Sequence, residues 1–117
     1  MLVLEKIIHD RGSKYAVSGG KCANDDAAKQ FIKDLKRRKK FAKATHHSWG
    51  YIGATGPSKN DDGETGAGAV ILRMLERAAI ADHIIVVTRW YGGKHLGGDR
   101  FRHIQEAVRL YLARAEI

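Results

Sequence analysis

The stretch Ile84–Ile104 reads IIVVTRWYGGKHLGGDRFRHI and decides how the rest of the chain can fold. Its β-branched run Ile84-Ile85-Val86-Val87-Thr88 predicts a buried strand. Two glycine pairs follow, Gly92-Gly93 and Gly97-Gly98, and between them stand Lys94 and His95. Asp99 then reads as the N-cap of a helix on which Phe101, Ile104, Val108, Tyr111 and Leu112 recur at helical spacing. Glycine permits positive φ and close backbone approach, so this loop can turn several N–H groups toward one point ringed by Arg89, Lys94 and Arg100. The loop is either a tight strand-to-helix turn or an anion cradle. No Gly-Lys-Ser/Thr closes it, which excludes a Walker loop. Asp99 at the helix start would also repel an anion from the best donors.

Upstream of this stretch, Val70, Ile71, Met74, Leu75 and Ala78 form the apolar stripe of another helix. It is entered through Asn60-Asp61-Asp62-Gly63-Glu64-Thr65-Gly66-Ala67-Gly68. Asp61 and Glu64 are spaced for a capping box; the alternative is a carboxylate site for a hard cation or an arginine-rich partner. Gly66 and Gly68 in the first turns predict close packing against a neighbour. Gly53 to Lys59, with the only proline at Pro57, reads as a loop. Thr45–Ile52 reads as a strand whose alternation puts His47, Trp49 and Tyr51 on one face and His46, Ser48, Gly50 and Ile52 on the other. Neighbouring histidines on a strand point apart, so no metal site is assigned, and no cofactor.

The N-terminal part reads as two strands, Leu2–Ile8 and Lys14–Ser18, paired as a hairpin across Asp10-Arg11-Gly12-Ser13. Asn24 caps the next helix, with Asp25 and Asp26 in its first turn and Ala28, Phe31, Ile32 and Leu35 on its apolar stripe. That helix is expected to end in Lys36-Arg37-Arg38-Lys39-Lys40. The run suits the negative end of the helix dipole, and with Arg102 and Arg109 it is a candidate basic patch for phosphates or acidic side chains.

The expected order is ββαβαβα, an α+β fold built as a two-layer α/β sandwich on about four strands. If the third and fourth strands run parallel through a crossover helix, their C-terminal ends share one edge. Asp61, Asp62 and Glu64 would then face Arg89, Lys94, His95 and Arg100, as a structural ion pair or as a binding edge. No recognised nucleophile constellation accompanies them, and no catalytic residue is assigned.

A chain of 117 residues fits one domain, and its net charge of +8, from 21 Lys and Arg against 13 Asp and Glu, favours acidic partners. Nucleic acid, a ribosome, an acidic protein surface or an anionic filament would all meet that description. A single cysteine, Cys22, excludes an internal disulfide and fits a reducing compartment. No apolar run reaches the roughly 18 residues of a membrane span and no signal-peptide core precedes the first strand, so the location expected is cytoplasmic, or else nuclear.

Three segments together resemble the Impact family, shared by eukaryotic Impact proteins and bacterial YigZ-like proteins. They are Lys43-Ala44-Thr45-His46; Asp61-Asp62-Gly63-Glu64-Thr65 with Ala67-Gly68; and Thr88-Arg89-Trp90-Tyr91-Gly92-Gly93 continued by Leu96-Gly97 and Asp99-Arg100-Phe101-Arg102-His103-Ile104. The last block is closer to the eukaryotic branch. The chain departs from the family pattern at His47, where asparagine is usual, at Ile52, often arginine, and at Gly98, often proline. The resemblance implies a fold similar to the second domain of small-subunit ribosomal protein five, and a role in translational control. It implies restraint of the starvation kinase that acts on initiation factor two, by competition for the kinase's activator protein, and binding of monomeric actin. It points to an adaptor and not an enzyme. The RWD domain that carries much of the activator binding in full-length relatives is not among these 117 residues. The chain therefore reads as a short form or as a fragment of a longer protein.

Overall fold

The apolar run beginning at Ile84 forms the central strand of a five-stranded sheet in the computed structural model, which describes residues 1–117. In chain order the elements are β1 (Leu2–Asp10), β2 (Ser13–Lys21), α1 (Asp25–Leu35), α2 (Lys39–Ala42), β3 (His46–Gly53), β4 (Gly56–Asn60), α3 (Ala67–Arg77), β5 (His83–Trp90) and α4 (Asp99–Arg114). The strands lie in the order β1-β2-β5-β3-β4, and every neighbouring pair is antiparallel. The fold is α+β, with one strand more than the sequence reading gave. Ile84 to Arg89 are all buried because β5 has a strand on each side and helices over both faces.

Two corrections follow from β4. The segment expected to be a loop pairs with β3 from Asn60 opposite Trp49 to Gly56 opposite Gly53. It carries no alternation to reveal it, and its proline sits on an edge strand, where a missing N–H is tolerated. This added hairpin reverses the chain, so β3 runs antiparallel to β5, not parallel. β4 is the strand that shares β5's direction, and the loops after β4 and β5 consequently emerge at one edge.

The sheet's faces are covered separately. Tyr15, Val17, Ile85 and Val87 pack under α3 and α4, through Val70, Ile71, Leu75, Ile104, Val108 and Tyr111. This is the expected two-layer arrangement. On the other face Ala16, Tyr51, Ile84 and Val86 meet Ala28, Phe31 and Leu35 of α1 and Phe41 of α2, so α1 and α2 add cover there. Asn24 caps α1, its side chain accepting from the Ala27 N–H at 2.8 Å. The helix stops at Leu35, not within the cationic run, which straddles the turn into the short α2.

Arg11 and Gly12 join β1 to β2 with both residues at positive φ, the geometry of a type I′ hairpin turn. The turn is pressed against the loop after β5. A Cβ on Gly92 would lie 2.0 Å from the Gly12 carbonyl carbon. Glycine is required there by backbone contact.

Candidate functional site

The edge at the end of β5 is assembled from four pieces of chain: Ser13 at the start of β2, Thr45–His46 at the start of β3, the 61–66 loop and the 91–98 loop. Alternation along β5 turns Arg89 toward the α3 and α4 face, and the same alternation along β3 turns His46 there. Both then lie beside the N-terminal approach to α3.

Of the three acidic candidates, Glu64 is the one that meets Arg89. Arg89 Nη1 donates to Glu64 Oε1 at 3.0 Å and to Oε2 at 3.1 Å, and both side chains are only 5% exposed. Ser13 Oγ accepts from Arg89 Nη2 and from the Gly92 N–H, each at 3.2 Å. The guanidinium also lies near the rings of Tyr15 and Tyr91, at 5.7 and 5.6 Å. Ser13 belongs to the site although the sequence presents it only as a turn residue. Burial pushes the Tyr15 hydroxyl up to about 12, and that hydroxyl has no hydrogen-bond partner.

Asp61 and Asp62 shape the loop instead of facing the pocket. The Asp61 carboxylate accepts from the Gly66 N–H at 3.0 Å and the Gly68 N–H at 2.8 Å, and these bonds hold it below the usual carboxylate range. It therefore caps α3 from outside, and the expected capping box with Glu64 does not form. A Cβ on Gly68 would sit 2.9 Å from Asp61 Oδ1, so the close packing expected at this glycine is against its own cap. Asp62 Oδ2 accepts from the His47 N–H at 2.7 Å, and the Asp62 carbonyl accepts from His46 Nδ1 at 2.7 Å. With its proton on Nδ1, His46 presents Nε2 to Glu64 Oε2, 3.6 Å away.

Arg100 Nη1 lies at the same 3.6 Å from Glu64 Oε2, while its Nε donates to the Gly97 carbonyl. One buried carboxylate is thus surrounded by two guanidiniums and an imidazole, and the formal balance is positive. Glu64 has both oxygens engaged with Arg89 and is not a free base. The groups left for a visitor are Arg100, His46 and the exposed His95 and Lys94; the His95 ring lies 5.7 Å from that of Tyr91. Arg100, His46 and His95 open on a cavity of about 490 Å³ lined also by Thr45, Leu96 and Gly97, while Lys94 is exposed on the same loop as His95 and does not line it. Such a pocket can receive an acidic side chain or another anionic group.

The structure does not bring the expected basic patch together. Lys36 to Lys40 lie at α1 and α2, on one face of the sheet, whereas Arg102 and Arg109 project from α4 on the other. Arg102 pairs with Asp99 at 3.3 Å and Arg109 with Glu106 at 3.2 Å. Asp99 is not the N-cap of α4, a position held by Gly98 with no side-chain bond. It pairs with Arg11 and Arg102, tying the β1–β2 turn to α4. His46 and His47 point to opposite faces. His47 is enclosed beneath α2, where Nε2 donates to the Phe41 carbonyl and Nδ1 accepts from the Thr88 hydroxyl.

Comparison with known proteins supports a family assignment. The model of the Impact N-terminal domain matches residues 11–112. The chain is 35% identical over 114 residues to the Protein IMPACT homolog of Saccharomyces cerevisiae, covering 92% of this chain and 44% of that protein. For the homolog of Caenorhabditis elegans the identity is 32% over 116 residues, covering 92% and 45%. The chain spans less than half the length of these curated relatives. Among solved structures, one of a hypothetical protein superposes with a TM-score of 0.82 at 22% identity, over 96% of this chain and 57% of its own, and shows the same fold. A second, of the two-domain translational regulator Yih1, gives a TM-score of 0.52 at 31% identity over 91% and 43%.

Proposed function

The chain belongs to the Impact family, and from that premise we propose that it is a regulatory binding module of translational control. The family match across residues 11–112 carries this reading, and the description of Yih1 as a translational regulator supports it. The partner is an acidic protein surface, the activator of the starvation kinase acting on initiation factor two, with monomeric actin as a further candidate. Residues 1–117 act as one unit. Arg100, His46, Lys94 and His95 supply the contacts, and the Glu64–Arg89 pair holds them in place. The module binds and does not catalyse: its one pocket carboxylate is neutralised within the protein.

The test is binding of the purified chain to the purified activator and to monomeric actin. An Arg100→Ala/Lys94→Ala variant should keep its fold and lose at least tenfold in affinity. If neither partner binds the unaltered chain, or if the variant binds as well as the parent, this reading is wrong.

A further inference from the structure

A second cleft, of about 420 Å³, opens on the α1 and α2 face of the sheet and shares only Tyr91 with the Glu64 pocket. Its floor is Trp90. The indole is fixed from behind: its Nε1–H donates to the Lys40 carbonyl at 3.0 Å, and its ring meets Phe41 edge-on at 5.2 Å. Around it stand Lys6, Lys14, Lys40 and Lys43, all exposed, and a single acid, Glu5. Lys14 is the direct cross-strand partner of Trp90, which places its Cβ beside the indole. Lys6 is presented by the irregularity in β1, where it takes a φ of 51°. None of the four lysines forms an ion pair.

The chemistry of this cleft selects among anions. Carboxylates are best gripped by the planar fork of arginine, and the cleft has no arginine. Lysine acts as a point charge that accepts phosphate oxygens from many directions. An aromatic plane among such charges is the platform on which a base stacks, with the backbone tracked by the cations. The cavity is within the size range of small-ligand sites. We propose that this cleft binds single-stranded nucleic acid, one base lying on Trp90 and the flanking phosphates on Lys14, Lys40, Lys43 and Lys6. This site is separate from the Glu64 pocket and goes beyond the protein-binding role. Of the residues read from sequence as a basic patch, it uses Lys40 alone.

Fluorescence anisotropy with labelled ten-nucleotide oligouridylate and oligothymidylate, titrated with the full chain, tests the proposal. Three or four phosphate contacts on a single strand predict an affinity loss of roughly twenty- to fiftyfold between 50 and 200 mM salt. Lys14→Glu/Lys43→Glu should weaken binding at least tenfold. Arg73→Glu/Arg77→Glu makes the same charge change on exposed positions of α3, on the opposite face, and should weaken it less than threefold. In a Trp49→Phe background, where Trp90 is the only tryptophan, saturation should quench the fluorescence. Binding of either oligonucleotide with these features supports the site, and the tighter of the two identifies its natural source. No binding at 50 mM salt, equal losses in both charge-reversal variants, an unquenched Trp90, or equally strong competition by polyglutamate would each overturn it.

Discussion

Glu64 and Arg89 are buried together, and removing either charge strands the other in a medium that solvates it poorly. Glu64→Gln is expected to lower unfolding stability by about 3 kcal/mol or more, measured by urea denaturation. A double replacement, Glu64→Gln/Arg89→Met, should cost less than the sum of the two single changes, because no buried charge is left unpaired. His47 supplies a second effect of single residues. Burial holds its imidazole below the ordinary value, and His83 is lowered by burial as well. The unfolded chain therefore binds more protons than the native one once the pH falls below the ordinary histidine value. This stability is present above about pH 6.5 and is lost as the pH falls through the lower native values. Unfolding midpoints should drop between pH 7 and 5, and His47→Asn should flatten part of that slope.

Among the elements, α3 depends on a residue outside it. Asp61→Ala removes the acceptor for two N–H groups and is expected to cost about 2 kcal/mol, whereas Asp61→Asn, which keeps one amide oxygen, should cost less; thermal unfolding distinguishes them. This cap also shows what sequence patterns can convey. β5 is legible in the sequence because a β-branched run of that length has few other uses. α1 is legible because Asn24, two aspartates and an apolar stripe agree. β4 is not, since Gly56, Pro57, Ser58, Lys59 and Asn60 present no apolar period and their strand is defined by pairing with β3. Without β4 the direction of β3 comes out reversed, and the roles of Asp61 and Glu64 cannot be told apart from spacing alone. The lysines around Trp90 come from β1, β2, α2 and the turn after it, so no contiguous motif announces them.

For the whole molecule, the order of strands in space differs sharply from their order in the chain. β1 with β2 and β3 with β4 are local hairpins, but they meet only through β5, which is the last strand made and the middle one of the sheet. Tyr15 faces Arg89 and His47 faces Thr88 across those seams. Folding must therefore close long loops before the sheet gains its centre, and a rate in the range of milliseconds to seconds is expected in stopped-flow refolding. A fragment of residues 1–82 should show little cooperative unfolding, and a peptide of residues 83–117 added in trans should restore it. Growing from a ribosome, the chain would expose the inner edges of both hairpins until His83–Trp90 emerged, and during that interval it is a natural client for a chaperone that holds unpaired strands.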